Sequence, residues 1–121
     1  MKSLFLFFLL AAFPAPSGDV SGVWKLDGMV EDHPVNPTCT FKQTAEKISG
    51  SCKFEQNTEV QPADLTGTVN GKDITWKFSV DYEGTNYTLT FSGKLDSDTS
   101  IKGTIAVDPS DSSGEFTAKK Q

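Results

Sequence analysis

The side chains that could carry out chemistry in this sequence are few. The single histidine, His33, follows Glu31 and Asp32 in a loop (residues 31–37) that also holds two prolines. Three adjacent residues do not converge on one metal ion without outside ligands, so a solvated loop is the favoured interpretation. Two further acidic loops could hold a weak calcium ion, but acidic loops that keep the chain soluble are the favoured alternative. Their aspartates are Asp96, Asp98, Asp108 and Asp111.

Two cysteines, Cys39 and Cys52, are the only other reactive groups. Residues 38–43 and 48–54 alternate like strands, and a four-residue hairpin loop between them places the two cysteines directly opposite each other. Their spacing is too long for a C-x-x-C motif, and no further ligands complete a metal site, so we predict a structural disulfide. Closing a loop of ~14 residues stabilises the fold by about 3 kcal/mol in chain-entropy terms. With both thiols bridged, no Ser-His-Asp or Cys-His set remains, and we expect neither an enzyme nor a cofactor.

Residues 1–17 are typical of a secretory signal peptide. Residues 4–13 form an unbroken apolar run that is too short to span a bilayer, and small, helix-breaking residues follow. Cleavage before Gly18 fits the small-x-small rule, whereas cleavage before Phe13 or retention as a membrane anchor are the alternatives. We therefore predict a signal peptide at 1–17, one domain at 18–121, and a secreted or periplasmic protein whose compartment favours the disulfide.

The charge of the chain limits its partners. The formal net charge is −5 and the isoelectric point is near 4.7. This acidity argues against nucleic acid and against an anionic membrane surface as partners. We expect a monomer whose partner is a small apolar ligand or a secreted protein.

The strongest structural pattern is a hairpin over residues 72–95. Large apolar residues alternate with polar ones on both sides of Glu83-Gly84, which is the signal of half-buried strands. A turn at Glu83-Gly84 predicts three facing pairs: Val80–Tyr87, Phe78–Leu89 and Trp76–Phe91. Asn70-Gly71 predicts a second tight turn, which would pair Gly67 with Ile74 and Leu65 with Trp76.

The same alternation recurs along the whole chain after the signal peptide. Glycines on the apolar faces of several strands favour a strongly curved sheet. An even number of short, sequentially paired strands predicts an all-β fold, an antiparallel up-and-down β-barrel. The eight predicted strands span residues 20–26, 38–43, 48–54, 60–69, 74–82, 87–95, 101–107 and 114–120.

Two family resemblances follow from the first strand. Gly22-Val23-Trp24 on the first strand of a secreted barrel resembles the calycin group of lipocalins and avidins. This resemblance implies a calycin-like plug in which Gly22 and Trp24 close one barrel end and Lys120, or Lys119, packs across the indole ring. The segment from Ser21 to Leu26, followed by Cys39, also looks like small bacterial metalloprotease inhibitors, which act through an N-terminal tail.

Three functions fit these predictions. In the first, the barrel binds a small hydrophobic or amphipathic ligand against six candidate wall residues, although the same side chains could instead fill the core. In the second, it is a protease inhibitor or protein-interaction module, and in the third an accessory domain without a ligand. Asn86-Tyr87-Thr88 is also a glycosylation sequon, meaningful only in a eukaryotic host. The candidate wall residues are Trp76, Phe78, Tyr82, Tyr87, Leu89 and Phe91.

Overall fold

The computed structural model describes residues 19–57 and 59–121, so the predicted signal peptide lies outside the described residues. Alternating sequence patterns form strands throughout the described part, where no helix is long and apolar enough to cross a membrane. The strands are β1 (Gly22–Val30), β2 (His33–Val35), β3 (Thr38–Thr44), β4 (Lys47–Lys53), β5 (Ala63–Asn70), β6 (Asp73–Tyr82), β7 (Thr85–Ser97), β8 (Ser100–Asp108) and β9 (Ser112–Lys120).

The strands close into a barrel. Neighbouring strands follow the order β2-β1-β3 and then β4 to β9 in sequence, and every pairing is antiparallel. The first and last strands also pair, with Trp24 opposite Lys120 and Val30 opposite Gly114. This closure covers the two edges that an open sheet would expose to aggregation. The predicted all-β, up-and-down barrel is confirmed.

The second strand of the barrel is interrupted. Both β2 and β3 pair with β1 in one continuous register, with Gly28 opposite Val35 and Lys25 opposite Thr38. The pair therefore counts as one bent strand, which gives eight around the barrel. The prediction of a loop over residues 31–37 was wrong at β2, because proline is tolerated in short strands at irregular positions.

The predicted hairpin of β6 and β7 is confirmed in register. Glu83 and Gly84 both have positive φ, 51° and 85°, as a type I′ turn requires. This turn matches the twist of the flanking strands. The facing pairs are those predicted, namely Val80–Tyr87, Phe78–Leu89 and Trp76–Phe91.

The predicted register of β5 and β6 was wrong by two residues. The turn lies at Gly71-Lys72, and Gly67 faces Trp76 rather than Ile74. Gly71 supplies the positive φ, 63°, at the first turn position. A Cβ at Gly67 would lie 2.1 Å from the Thr75 carbonyl oxygen and 2.7 Å from the Trp76 Cβ, so glycine allows β5 and β6 to approach closely at this point. A shift of two residues keeps the same side chains inside.

The middle of the barrel is filled by aromatic rings. Trp76 stacks on Phe91, with ring centroids 5.1 Å apart and an interplanar angle of 3°. Phe41 and Phe116 meet the indole edge-on at 4.9 and 5.5 Å, a favoured geometry for aromatic pairs. This cluster is a solid core across the barrel.

The disulfide between Cys39 and Cys52 is confirmed. The two residues face each other on β3 and β4, as predicted, and they are 0% and 1% exposed. The bridge therefore joins two neighbouring strands inside the barrel wall.

Candidate ligand-binding site

Trp24 lies near one end of the barrel, at the start of β1, and we call this end the plugged end after the predicted plug. The side chain is fully buried, and its indole N–H donates to the Val20 carbonyl oxygen at 2.9 Å. Lys120 Nζ lies 6.0 Å from the indole centroid, at the outer limit of a cation–π contact. The Lys120 side chain also passes Gly22, where a Cβ would lie 3.0 Å from its Cε. Lys120 therefore lies beside both Gly22 and Trp24 at this end, and the role of the three residues as a plug stays a prediction.

The opposite end holds an open pocket of about 740 Å³. It lies where the turns after β1, β6 and β8 and the long connection after β4 come together. Because these connections belong to alternate strand junctions of an up-and-down barrel, they all lie at the end away from Trp24. The apolar wall is built from inward residues of four strands: Val30, Val80, Tyr82, Tyr87, Leu89 and Val107.

The six predicted wall residues divide into two sets. Tyr82, Tyr87 and Leu89 line the pocket. Trp76, Phe78 and Phe91 are 0–2% exposed and lie in the aromatic core instead. Tyr82 and Tyr87 lie close to the Glu83-Gly84 turn and Trp76 and Phe91 lie far from it, whereas the facing residues Phe78 and Leu89 lie at the boundary between core and pocket. The part of the barrel around Trp76 and Phe91 therefore has a filled core, whereas the part near the Glu83-Gly84 turn contains a pocket.

The connection between β4 and β5 adds residues that sequence patterns missed. Phe54 and Val60 line the pocket, and Val60 is only 9% exposed. The backbone folds back on itself through the Asn57 carbonyl, which accepts from Val60 N–H at 3.2 Å. A strand from residue 60 was predicted, whereas β5 begins at Ala63, directly after Pro62, which has no backbone N–H to donate to a neighbouring strand. The signal available in the sequence was Val60 itself, an apolar residue among the polar residues of this connection.

Polar groups surround the mouth of the pocket. Glu31 and Glu83 come from two of its turns, His33 from β2, and Ser110 and Ser112 from the turn before β9 and its first residue. These side chains offer carboxylate, imidazole and hydroxyl groups above an apolar wall. Such a mouth can orient a ligand while the wall holds its apolar part.

Two carboxyl groups elsewhere have shifted pKa values. The Ser21 backbone N–H, which donates to Asp19 Oδ1 at 2.9 Å, holds the pKa of Asp19 below its usual value. The Thr38 hydroxyl donates to Glu55 Oε1 at 2.9 Å and, with the nearby Lys53 ammonium, lowers the pKa of Glu55. Both groups are on the surface and neither lines the pocket.

The remaining chemical candidates stay dispersed. Within residues 19–57 and 59–121, no three His, Cys, Asp or Glu side chains are grouped so that they could hold a metal ion. Asn86 is exposed and donates to Asp81 Oδ1 at 2.8 Å. Its glycosylation stays a prediction.

Comparison with known proteins supports the fold. No family model and no curated protein matches the chain, so the calycin-like and inhibitor resemblances stay predictions. Solved structures of designed barrels are similar. A redesigned β-barrel, mFAP1, bound to DFHBI has a TM-score of 0.63 at 14% identity, covering 84% of this chain and 94% of that one. A redesigned β-barrel, mFAP0, also bound to DFHBI, has a TM-score of 0.61 at 14% identity, covering 84% of this chain and 98% of that one. A fluorescence-activating β-barrel designed de novo has a TM-score of 0.60 at 11% identity, covering 84% of this chain and 93% of that one.

Proposed function

We propose that this protein is a secreted or periplasmic, non-enzymatic, monomeric β-barrel that binds a small hydrophobic or amphipathic molecule. The observation that carries the proposal is a pocket open at one end only. Its apolar wall stands on the packed aromatic core, and Trp24 closes the far end. The ligand enters past the turns and rests above Phe78 and Phe91.

The dimensions and lining of the pocket support this proposal. Its volume of about 740 Å³ lies inside the range of roughly 300–1,000 Å³ that is common for ligand pockets. A ligand that covers the wall removes apolar surface from water, at about 25 cal/mol per Å². Two of the similar designed barrels bind DFHBI, which shows that this architecture can hold a small organic molecule.

A fluorescence titration tests the proposal directly. N-phenyl-1-naphthylamine, an uncharged probe that brightens in apolar surroundings, should bind the mature protein saturably. Replacing Val107 by Trp fills the pocket from β8 and should abolish the signal. The matched control is Ala106→Trp, because Ala106 is the neighbouring residue on the exposed outer face. No saturable binding, or equal binding by both variants, would exclude the pocket as the site.

The inhibitor and accessory-domain alternatives stay predictions. An inhibitor of the kind described above needs a free N-terminal tail, whereas Val20 is 1% exposed and its N–H donates to Gln43 Oε1 at 2.8 Å. Of such a tail, only residues before Val20 could enter a protease cleft. Unchanged rates of secreted metalloproteases in the presence of the protein would remove this alternative.

A further inference from the structure

The two ends of the barrel differ in charge. At the pocket end, the connections at residues 31–32, 54–62, 83–84 and 109–111 contain acidic residues and no lysine or arginine. Their six acidic residues are Glu31, Asp32, Glu55, Glu59, Glu83 and Asp111. At the plugged end, the segment before β1 and the connections at residues 45–46, 71–72 and 98–99 carry three acidic residues, Asp19, Glu46 and Asp98, and one lysine, Lys72. Lys119 and Lys120, the last residues of β9, add positive charge at this end.

The pocket itself shares this bias. Among the described residues that line it, Glu31 and Glu83 are the carboxylates and none is a lysine. The lysine next to the long connection, Lys53, is engaged with Glu55 at 3.6 Å on the surface. An anionic head group in this mouth would therefore meet two like charges with no lysine among the lining residues to offset them.

Aromatic groups in the wall add a second feature. Tyr82, Tyr87 and Phe54 line the pocket directly below the mouth. The faces of such rings attract cations electrostatically, and more strongly where water is excluded. The pocket therefore places carboxylates and aromatic rings around one apolar space, and both groups favour a positively charged head over a negative one.

We infer that the ligand of this pocket is an amphipathic cation, an amine or quaternary ammonium group carrying an apolar tail. This inference rests on the proposed function. The tail lies against Val80, Leu89 and Val107, and the cationic head lies at the mouth between Tyr87 and the carboxylates of Glu31 and Glu83. Fatty acids and other anionic amphiphiles are disfavoured by the same groups.

Displacement of bound N-phenyl-1-naphthylamine by three decyl compounds tests the inference. Decyltrimethylammonium, decanol and decanoate share one tail, so their differences report the head group; each is used below its micelle concentration. The ammonium compound should displace half of the probe at a concentration about fivefold lower than decanol requires, and decanoate should require the highest concentration. The preference should shrink between about 10 mM and 300 mM salt, because salt screens exposed charges.

Charge variants locate the effect. In the double variant Glu31→Gln with Glu83→Gln, the concentrations of the ammonium compound and of decanol that displace half of the probe should lie within about twofold of each other. The control, Glu46→Gln with Asp98→Asn, removes the same charge at the plugged end and should keep the full preference. Decanoate binding as tightly as the ammonium compound would overturn the inference while leaving the proposed function intact. A preference that survives in the first variant would overturn the role of these carboxylates. Absence of probe binding altogether would instead reject the proposed function.

Discussion

The two tryptophans are equally buried but satisfy their indole N–H groups differently. Trp24 donates to the Val20 carbonyl, whereas Trp76 Nε1 finds no hydrogen-bond partner among the described residues. A buried donor without a partner costs about 1–3 kcal/mol. Trp76 stabilises the fold through packing of its ring, which contacts Phe41, Phe91 and Phe116. The indole of Trp24 contributes both packing and a hydrogen bond.

This contrast predicts different costs for the same substitution. Trp76→Phe should destabilise by about 1–2 kcal/mol, since lost packing is offset by removal of an unsatisfied donor. Trp24→Phe removes the same volume and also leaves the Val20 carbonyl unpaired, so it should cost about 1–2 kcal/mol more. Urea unfolding followed by circular dichroism measures both. A loss of unfolding free energy for Trp76→Phe that equals or exceeds the loss for Trp24→Phe would contradict the different hydrogen bonding of the two indole N–H groups.

Neighbouring strands β3 and β4 are stabilised by the contacts between them and by the disulfide. Replacing both Cys39 and Cys52 by Ala should lower the free energy of unfolding by about 3 kcal/mol, because the 13-residue separation is then unconstrained in the unfolded chain. Denaturant unfolding gives the value. Reduction of the unsubstituted protein should match it within about 1 kcal/mol, and a loss near zero would show that the bridge is dispensable.

Close approach between strands explains one inward glycine. A Cβ at Gly50 would lie 1.8 Å from the Thr40 carbonyl oxygen, and φ is +147°. Gly71 also has positive φ, +63°, but a Cβ there meets nothing within 4 Å. Gly71→Ala should therefore cost about 1–2 kcal/mol from conformation alone, and Gly50→Ala at least about 3 kcal/mol. Thermal unfolding compares them, and similar losses would refute the steric explanation.

The whole barrel brings Asp19, the first described residue, close to Gln121, the last. Gln121 N–H donates to the Val23 carbonyl at 2.8 Å, and Lys120 Nζ donates to the Asp19 carbonyl at 3.5 Å. Closure through β1 and β9 therefore places Asp19 and Gln121 beside each other at the end of the barrel where Trp24 is buried.

This geometry predicts that a circular permutant folds. A short Gly-Ser linker from Gln121 to Asp19, with new ends between Gly71 and Lys72, should give the same strand content, because the opened turn is exposed. Opening between Trp76 and Lys77 breaks β6 in mid-strand and should prevent folding. Circular dichroism and thermal unfolding distinguish the two, and failure of the first permutant would contradict the prediction.

Local pattern was sufficient for much of this architecture. The alternation of residues on both sides of Glu83-Gly84 determined the β6–β7 register, because a one-residue slip would have turned every large side chain outward. The opposed positions of Cys39 and Cys52 followed from the same argument. At Asn70-Gly71, turn propensity suggested the wrong pair of residues, since a shift of two leaves the inward face unchanged.

Only the tertiary structure decided where the interior is filled and where it is open. Alternation shows that Trp76, Phe91, Tyr87 and Leu89 all face inward, but not how far each lies from the barrel's end. That depth depends on the stagger of all eight strands. The entry of Val60 and the pairing of β2 likewise depend on contacts with distant strands. The sequence alone determined the inward face, and closure of the sheet determined that Trp24 is buried at one end and that a pocket opens at the other.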